Sequence, residues 1–250
     1  MENFCEITFC QQIGSNKRHN QDALFNGEVV FQYKLKTAEK RLENRPHFIV
    51  GVADGISNSN RPEKASKLAM QLLSQMESIS RQTIYDLQSS LSAELAEDYF
   101  GAATTFVAAE IDQITRKAKI FSVGDSRAYL IDAQGKWQQI TQDHSILSEL
   151  LSDFPDKKEE DFATIYGGVS SCLVADYSEF QDKIFYQEIE IQQGESLLLC
   201  SDGLTDGLLE EMREKIWKQY DNDKSRLTVY RKLIEKQRFY DDLSVIICAF

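Results

Sequence analysis

Three apolar segments of the sequence end on an aspartate: FIVGVADG at Asp54, KIFSVGDS at Asp125 and SLLLCSDG at Asp202. A fourth, Asp241, precedes the apolar run LSVIICAF. Aspartate is depleted inside strands and an isolated buried carboxylate is costly, so one such residue is ordinary turn chemistry. Recurrence along the chain asks for a shared role. If Asp54, Asp202 and Asp241 meet at one end of a sheet pair, each pair at about 4 Å repels by ~4 kcal/mol at an effective dielectric of about 20. A divalent cation relieves that repulsion, and a His-free, all-oxygen ligand set suits Mg²⁺ or Mn²⁺ better than Zn²⁺. Gly55 follows Asp54 and has no side chain, so its carbonyl can approach an ion as a further ligand.

These residues need elements to position them. Apolar periodicity predicts strands at Phe4 to Cys10, Ala23 to Tyr33, His47 to Ala53, Ala103 to Ile111, Lys119 to Val123, Ala128 to Asp132, Trp137 to Ile140, Lys183 to Ile191, Ser196 to Cys200 and Ser244 to Phe250. Helical spacing recurs after Asn60 (Ala65, Leu68, Ala69, Leu72, Leu73, Met76), with Asn60 as the expected cap and Pro62 in the first turn. A second helix carries Ile84, Leu87, Leu91 and Leu95, and later ones are expected at Ser145 to Leu151, Thr205 to Tyr220 and Arg226 to Phe239. Thr37 to Arg45 is charged and reads as a hairpin tip. The irregular order and the absence of repeats predict an α+β domain with two sheets whose outer faces are covered by helices.

The 250 residues carry 28 basic and 40 acidic side chains, a net charge of −12 with no basic cluster, which argues against a nucleic-acid or anionic-membrane partner. The apolar stretches are strand-sized and the N-terminus lacks a secretory pattern, so the expectation is one domain over 1–250, monomeric and cytoplasmic. Five cysteines without a CxxC pair argue against a disulfide framework or zinc site, and Cys200 and Cys248 read as buried apolar residues.

The order of GSNKRHNQD (Gly14 to Asp22), VADG (Val52 to Gly55), GAATTFVAA (Gly101 to Ala109), VGDSRAYL (Val123 to Leu130), TQDHS (Thr141 to Ser145), LLLCSDGLTD (Leu197 to Asp206) and DDLSVI (Asp241 to Ile246) resembles the metal-dependent protein phosphatases of type 2C over nearly the whole chain. The resemblance implies a four-layer α-β-β-α sandwich, two mainly antiparallel sheets flanked by helix pairs, with a binuclear Mn²⁺ or Mg²⁺ centre at one end. It implies hydrolysis of phosphoserine and phosphothreonine on proteins by a water bridging the two ions, in opposition to a Ser/Thr kinase. By motif, Asp54 would bridge the ions, Gly55 and Asp22 would serve one of them, Asp202 and Asp241 the other, and Asp125 a third, weaker ion.

Three places depart from the family pattern. Lys17, followed by Arg18, stands where the family places an Arg that grips phosphate, and Lys carries the charge without the bidentate fork. The sequence ranks Lys17 above Arg18 as the phosphate contact. Asp242 stands where the family has Asn, and the flap at about 145–182 lacks the family's usual Arg. A catalytically weak regulatory or binding module, or a hydrolase of small phosphate esters, are the alternatives. His47 reads as a surface or packing residue and His144 as structural. Trp137 and Trp217 read as core, and the charged run EEMREK (Glu210 to Lys215) as a solvated face.

Overall fold

Strands covered on both faces read as continuous apolar runs rather than alternating ones. The computed structural model, which describes residues 5–33, 37–158, 161, 168–178 and 183–250, builds such runs into two six-stranded sheets. With elements labelled in chain order, the first sheet runs β10 (Trp137–Gln139), β9 (Arg127–Ile131), β13 (Ser196–Cys200), β14 (Leu243–Ala249), β1 (Cys5–Gln12), β4 (Glu39–Glu43). The second runs β12 (Phe185–Glu190), β8 (Lys117–Val123), β7 (Phe106–Asp112), β5 (His47–Asp54), β2 (Asp22–Phe25), β3 (Val30–Phe31). Neighbouring strands pair antiparallel throughout these sheets.

The two-residue period of each strand divides its side chains between layers. Val50, Val52, Val107, Leu197, Leu199 and Ile246 meet between the sheets. Their neighbours Ile49, Ala53, Phe106 and Ala108 turn the other way, onto Ala69, Leu73, Leu87 and Leu91 of α1 (Pro62–Leu73) and α2 (Arg81–Tyr99). On the far side Leu198, Cys200, Val245 and Ile247 pack with Ile216, Leu227 and Ile234 of α5 (Glu210–Gln219) and α6 (Asp223–Glu235). The result is the expected four-layer α+β sandwich. Two short helices, α3 (Ile146–Asp153) and α4 (Asp202–Thr205), and a small ladder of β6 (Ala103–Thr104) with β11 (Leu173–Val174) complete it.

Several local expectations are corrected. The run from Ala23 to Tyr33 is the hairpin of β2 and β3, broken at Asn26–Gly27: the Asn26 carboxamide oxygen accepts from the Glu28 and Val29 amides, and Gly27 takes a positive φ of 90°. The charged stretch Thr37 to Arg45 contains an edge strand, β4, which pairs with β1. The helix expected over Thr205 to Tyr220 begins only at Glu210, as α5, and Thr205 is instead the last residue of the separate α4. Asn60 does not cap α1; Arg61 does, in a left-handed conformation and without a side-chain cap bond. Arg213, within the charged run, is buried over the rings of Tyr129 and Trp137, at 5.4 and 5.2 Å from their centroids. The expected first strand began at Phe4, and the flap includes 159–160, 162–167 and 179–182; these lie outside the described residues.

Candidate metal centre

Each aspartate singled out from the sequence is delivered by the end of a strand. Asp22 opens β2 and Asp54 closes β5, and the two are paired residues in the antiparallel register. Asp202 begins α4 just after β13, and Asp241 and Asp242 lead into β14, the neighbour of β13. The sheets therefore bring the four chain segments to one end of the sandwich, two from each layer. Asp125 follows Gly124 after β8, close enough to Asp202 and Asp54 for its charge to bear on the latter.

Hydrogen bonds fix this end of the molecule. The Ser201 hydroxyl donates to Asp22 Oδ2 at 2.7 Å and accepts from the Ser244 amide at 3.0 Å, tying the two sheets together beneath the carboxylates. Asn20 Oδ1 accepts from the Asp22 amide at 2.9 Å, and Thr105 Oγ1 accepts from the Asp54 amide at 3.0 Å. Thr104 Oγ1 donates to the Asp54 carbonyl at 2.8 Å. Gly55 is required by crowding: a Cβ there would stand 2.7 Å from the backbone oxygens of both Gln21 and Pro62.

Charge is concentrated where water is scarce. Burial holds the Asp22 carboxyl well above the usual range, reinforced by the charge of Asp242 and opposed by the Ser201 hydrogen bond. Asp54 is raised likewise, first by burial and then by Asp22 and Asp202, whose carboxyl lies within hydrogen-bonding range. Asp202 is pushed up to about 6, chiefly by burial. Burial and then Asp202 push Asp125 up to about 7. One oxygen each of Asp22 and Asp202 (Oδ1 in both) is buried without any hydrogen-bond partner. An unpartnered buried carboxylate oxygen is a costly feature, and a hard cation is the chemistry that satisfies it.

The donor set thus fits Mn²⁺ or Mg²⁺. Among the described residues no three of His, Cys, Asp and Glu gather as a ready-made cage. Each ion would accordingly take few side-chain ligands, with the Gly55 carbonyl and water making up the remainder, as these hard ions tolerate.

The two loop cations differ. Lys17 is drawn inward: its ammonium bonds Asp241 Oδ1, bonds Asp242 Oδ2 at 3.0 Å and reaches Ser57 Oγ at 3.5 Å. Burial alone would lower its pKa, but the hydrogen bonds and charges of Asp241 and Asp242 raise it. Arg18, next in the chain, is exposed and takes no part in these ion pairs. His47 is paired with Glu110 at 3.2 Å, at the opposite end of β5 from Asp54, and is a surface residue. His144 is structural as well, its Nδ1 accepting from the Gly124 amide at 3.2 Å.

Ser201, Ser244, Asn20, Thr104 and Thr105 escaped the sequence reading. Their signal was position alone: each is a small polar residue within two positions of a motif aspartate or on a strand facing one.

The family model for protein phosphatase 2C matches residues 15–226 of the chain. The chain is 34% identical over 220 residues to the serine/threonine phosphatase stp of Listeria monocytogenes, a match covering 82% of this chain and 80% of that protein. Its fold is similar to the crystal structure of the serine/threonine phosphatase Stp1 from Staphylococcus aureus, with a TM-score of 0.78 at 22% identity over 98% of this chain and 94% of the other. It is similar also to the catalytic domain of the serine/threonine protein phosphatase PstP in complex with two manganese ions, with a TM-score of 0.73 at 20% identity over 99% of each chain.

Proposed function

The chain belongs to the protein phosphatase 2C family, and from that premise we propose that it is a metal-dependent phosphatase acting on phosphoserine and phosphothreonine of proteins. The observation that carries this reading is the pair of buried, unpartnered carboxylate oxygens of Asp22 and Asp202 beside Asp54. In this assignment Asp54 would be shared by two ions, Gly55 and Asp22 would serve the first, and Asp202 and Asp241 would serve the second. Asp125 offers a carboxylate for a third, weaker ion.

When bound, the metal would supply Lewis acidity toward water and toward the phosphoryl oxygens. The chain's own residues supply the rest. Paired strands hold Asp22 and Asp54 in fixed register, so the carboxylates need little rearrangement during turnover. Burial of Asp22, Asp202 and Asp125 excludes water that would weaken their hold on a cation. Arg18 is the exposed cation of the 13–21 loop, and its guanidinium suits bidentate contact with a phosphate. Lys17 adds positive charge from within.

Substrates of this kind are products of a Ser/Thr kinase, which the enzyme would oppose. No helix of the described residues is long and apolar enough to cross a membrane. The substrate assignment is tested by comparing turnover of a phosphothreonine peptide with that of sugar and nucleotide monophosphates. Preference for the peptide supports it; equal or faster hydrolysis of the small esters would make this a small-ester hydrolase.

A further inference from the structure

Two departures from the family pattern, Lys17 for Arg and Asp242 for Asn, meet in space. The Asp242 side chain is only 1% exposed and both its oxygens are used: Oδ1 accepts from the Gly14 amide at 2.6 Å, and Oδ2 accepts from the Gln21 amide at 2.9 Å and the Lys17 ammonium at 3.0 Å. One carboxylate therefore clamps both ends of the 14–21 loop. A buried charge with two amide donors still needs a counter-ion, and Lys17 is that counter-ion. The same ammonium bonds Asp241, the carboxylate assigned to the second ion.

We propose that Lys17 is a built-in counter-cation of the Asp241–Asp242 pair, a positioning residue that competes with the divalent cation for Asp241 rather than gripping phosphate. The inference rests on the proposed metal centre and deepens it. Lys17 arrives on the loop that Asp242 clamps, so the charge introduced at position 242 and the charge retained at position 17 neutralise each other. The divalent ion must then displace an ammonium to use Asp241. That displacement weakens binding at the second position and leaves the first, served by Asp22 and Gly55, unaffected. It also frees Lys17 to turn toward Ser57, whose hydroxyl already stands 3.5 Å away, once an ion is in place.

The test is calorimetric titration of Mn²⁺ into the wild type, Lys17→Gln, Lys17→Arg and Lys17→Gln/Asp241→Asn. The proposal expects roughly tenfold tighter binding at the second position in Lys17→Gln, since a unit positive charge bonded to the Asp241 ligand oxygen has been removed. Lys17→Arg should bind as the wild type does, and the gain should vanish when Asp241 is also changed. Unchanged or weaker binding in a folded Lys17→Gln would overturn the proposal while leaving the metal centre standing. Failure of the wild type to bind Mn²⁺ at all would overturn the metal centre, and the proposal with it. Should Lys17→Gln not fold because Asp242 is left without a counter-ion, Lys17→Gln/Asp242→Asn removes both charges. Tighter binding in that variant than in Asp242→Asn alone supports the competition, and equal affinity of the two refutes it.

Discussion

Asp22 and Asp54 stand directly opposite each other where β2 pairs with β5. Like charges at facing positions of a ladder are destabilising, and here burial and the approach of Asp202 add to the cost. The arrangement trades stability for a cation-binding pair. Asp54→Asn, with a chelator present, should therefore melt higher than the wild type, by an amount corresponding to about 1–2 kcal/mol, while phosphatase turnover is lost. Calorimetric melting measures this; a lower melting temperature would mean that the pair is held by hydrogen bonds the amide cannot make.

Ser201 joins the two sheets beneath the site. Ser201→Ala removes the donor to Asp22 and the acceptor for the Ser244 amide, leaving that buried N–H unsatisfied. Urea unfolding should show a loss of about 1–3 kcal/mol. Mn²⁺ should bind more weakly as well, because Asp22 loses the bond that orients it.

Gly55 is confined by backbone on two sides. Adding one methyl, Gly55→Ala, drives a carbon against the Gln21 and Pro62 carbonyl oxygens, neither of which is the end of a flexible side chain. The expected cost is about 1–3 kcal/mol, with the Mn²⁺ dependence of turnover displaced to higher concentration. Wild-type metal dependence in this variant would remove the Gly55 carbonyl from the ligand set.

Away from the site, Glu43 gives a pH-dependent prediction. Burial alone would raise its pKa, but hydrogen bonds from the Arg45 side chain and backbone, and then Arg41, bring it from the ordinary 4.5 down to about 2. A carboxylate with a depressed folded-state pKa contributes stability that is fully present above the unfolded value and disappears as pH falls through the folded one. Glu43→Gln should thus be less stable than the wild type at neutral pH, and the difference should shrink between about pH 4.5 and pH 2. A constant difference across that window would show that packing, not charge, is what the substitution removes.

The layers were legible because the signals were redundant. Continuous apolar strands such as SLLLC and the every-fourth-residue spacing of Leu87, Leu91 and Leu95 each point to one structure, and Asp54 and Asp202 fall at strand ends where chain reversal is forced. What failed was local and decided by single residues. Asn26–Gly27 cut one expected strand into a hairpin, and Arg61 rather than Asn60 capped α1. β4 was hidden by its charges, because an edge strand with a solvated face shows no apolar run. At the site, the aspartates could be named from their motifs, but the capture of Lys17 by Asp242 could not, since those residues are 225 positions apart and meet only through the β1–β14 pairing. With Lys17 held by that contact, the proposed phosphate-binding cation is Arg18: Arg18→Ala should raise the KM for a phosphopeptide more than Lys17→Ala does, as steady-state kinetics would reveal.

In the proposed function, the aspartates at this end of the sandwich hold the ions that make the chain a phosphatase. Hydrolysis of a phosphothreonine peptide should be followed with Mn²⁺ and with chelator for the wild type and Asp202→Asn, alongside Mn²⁺ titration of both. The wild type should show Mn²⁺-dependent turnover, abolished by chelator, and Asp202→Asn should lose both turnover and one binding step. Turnover that survives the chelator, or an Asp202→Asn variant that binds Mn²⁺ and hydrolyses the peptide as the wild type does, would contradict the proposed function.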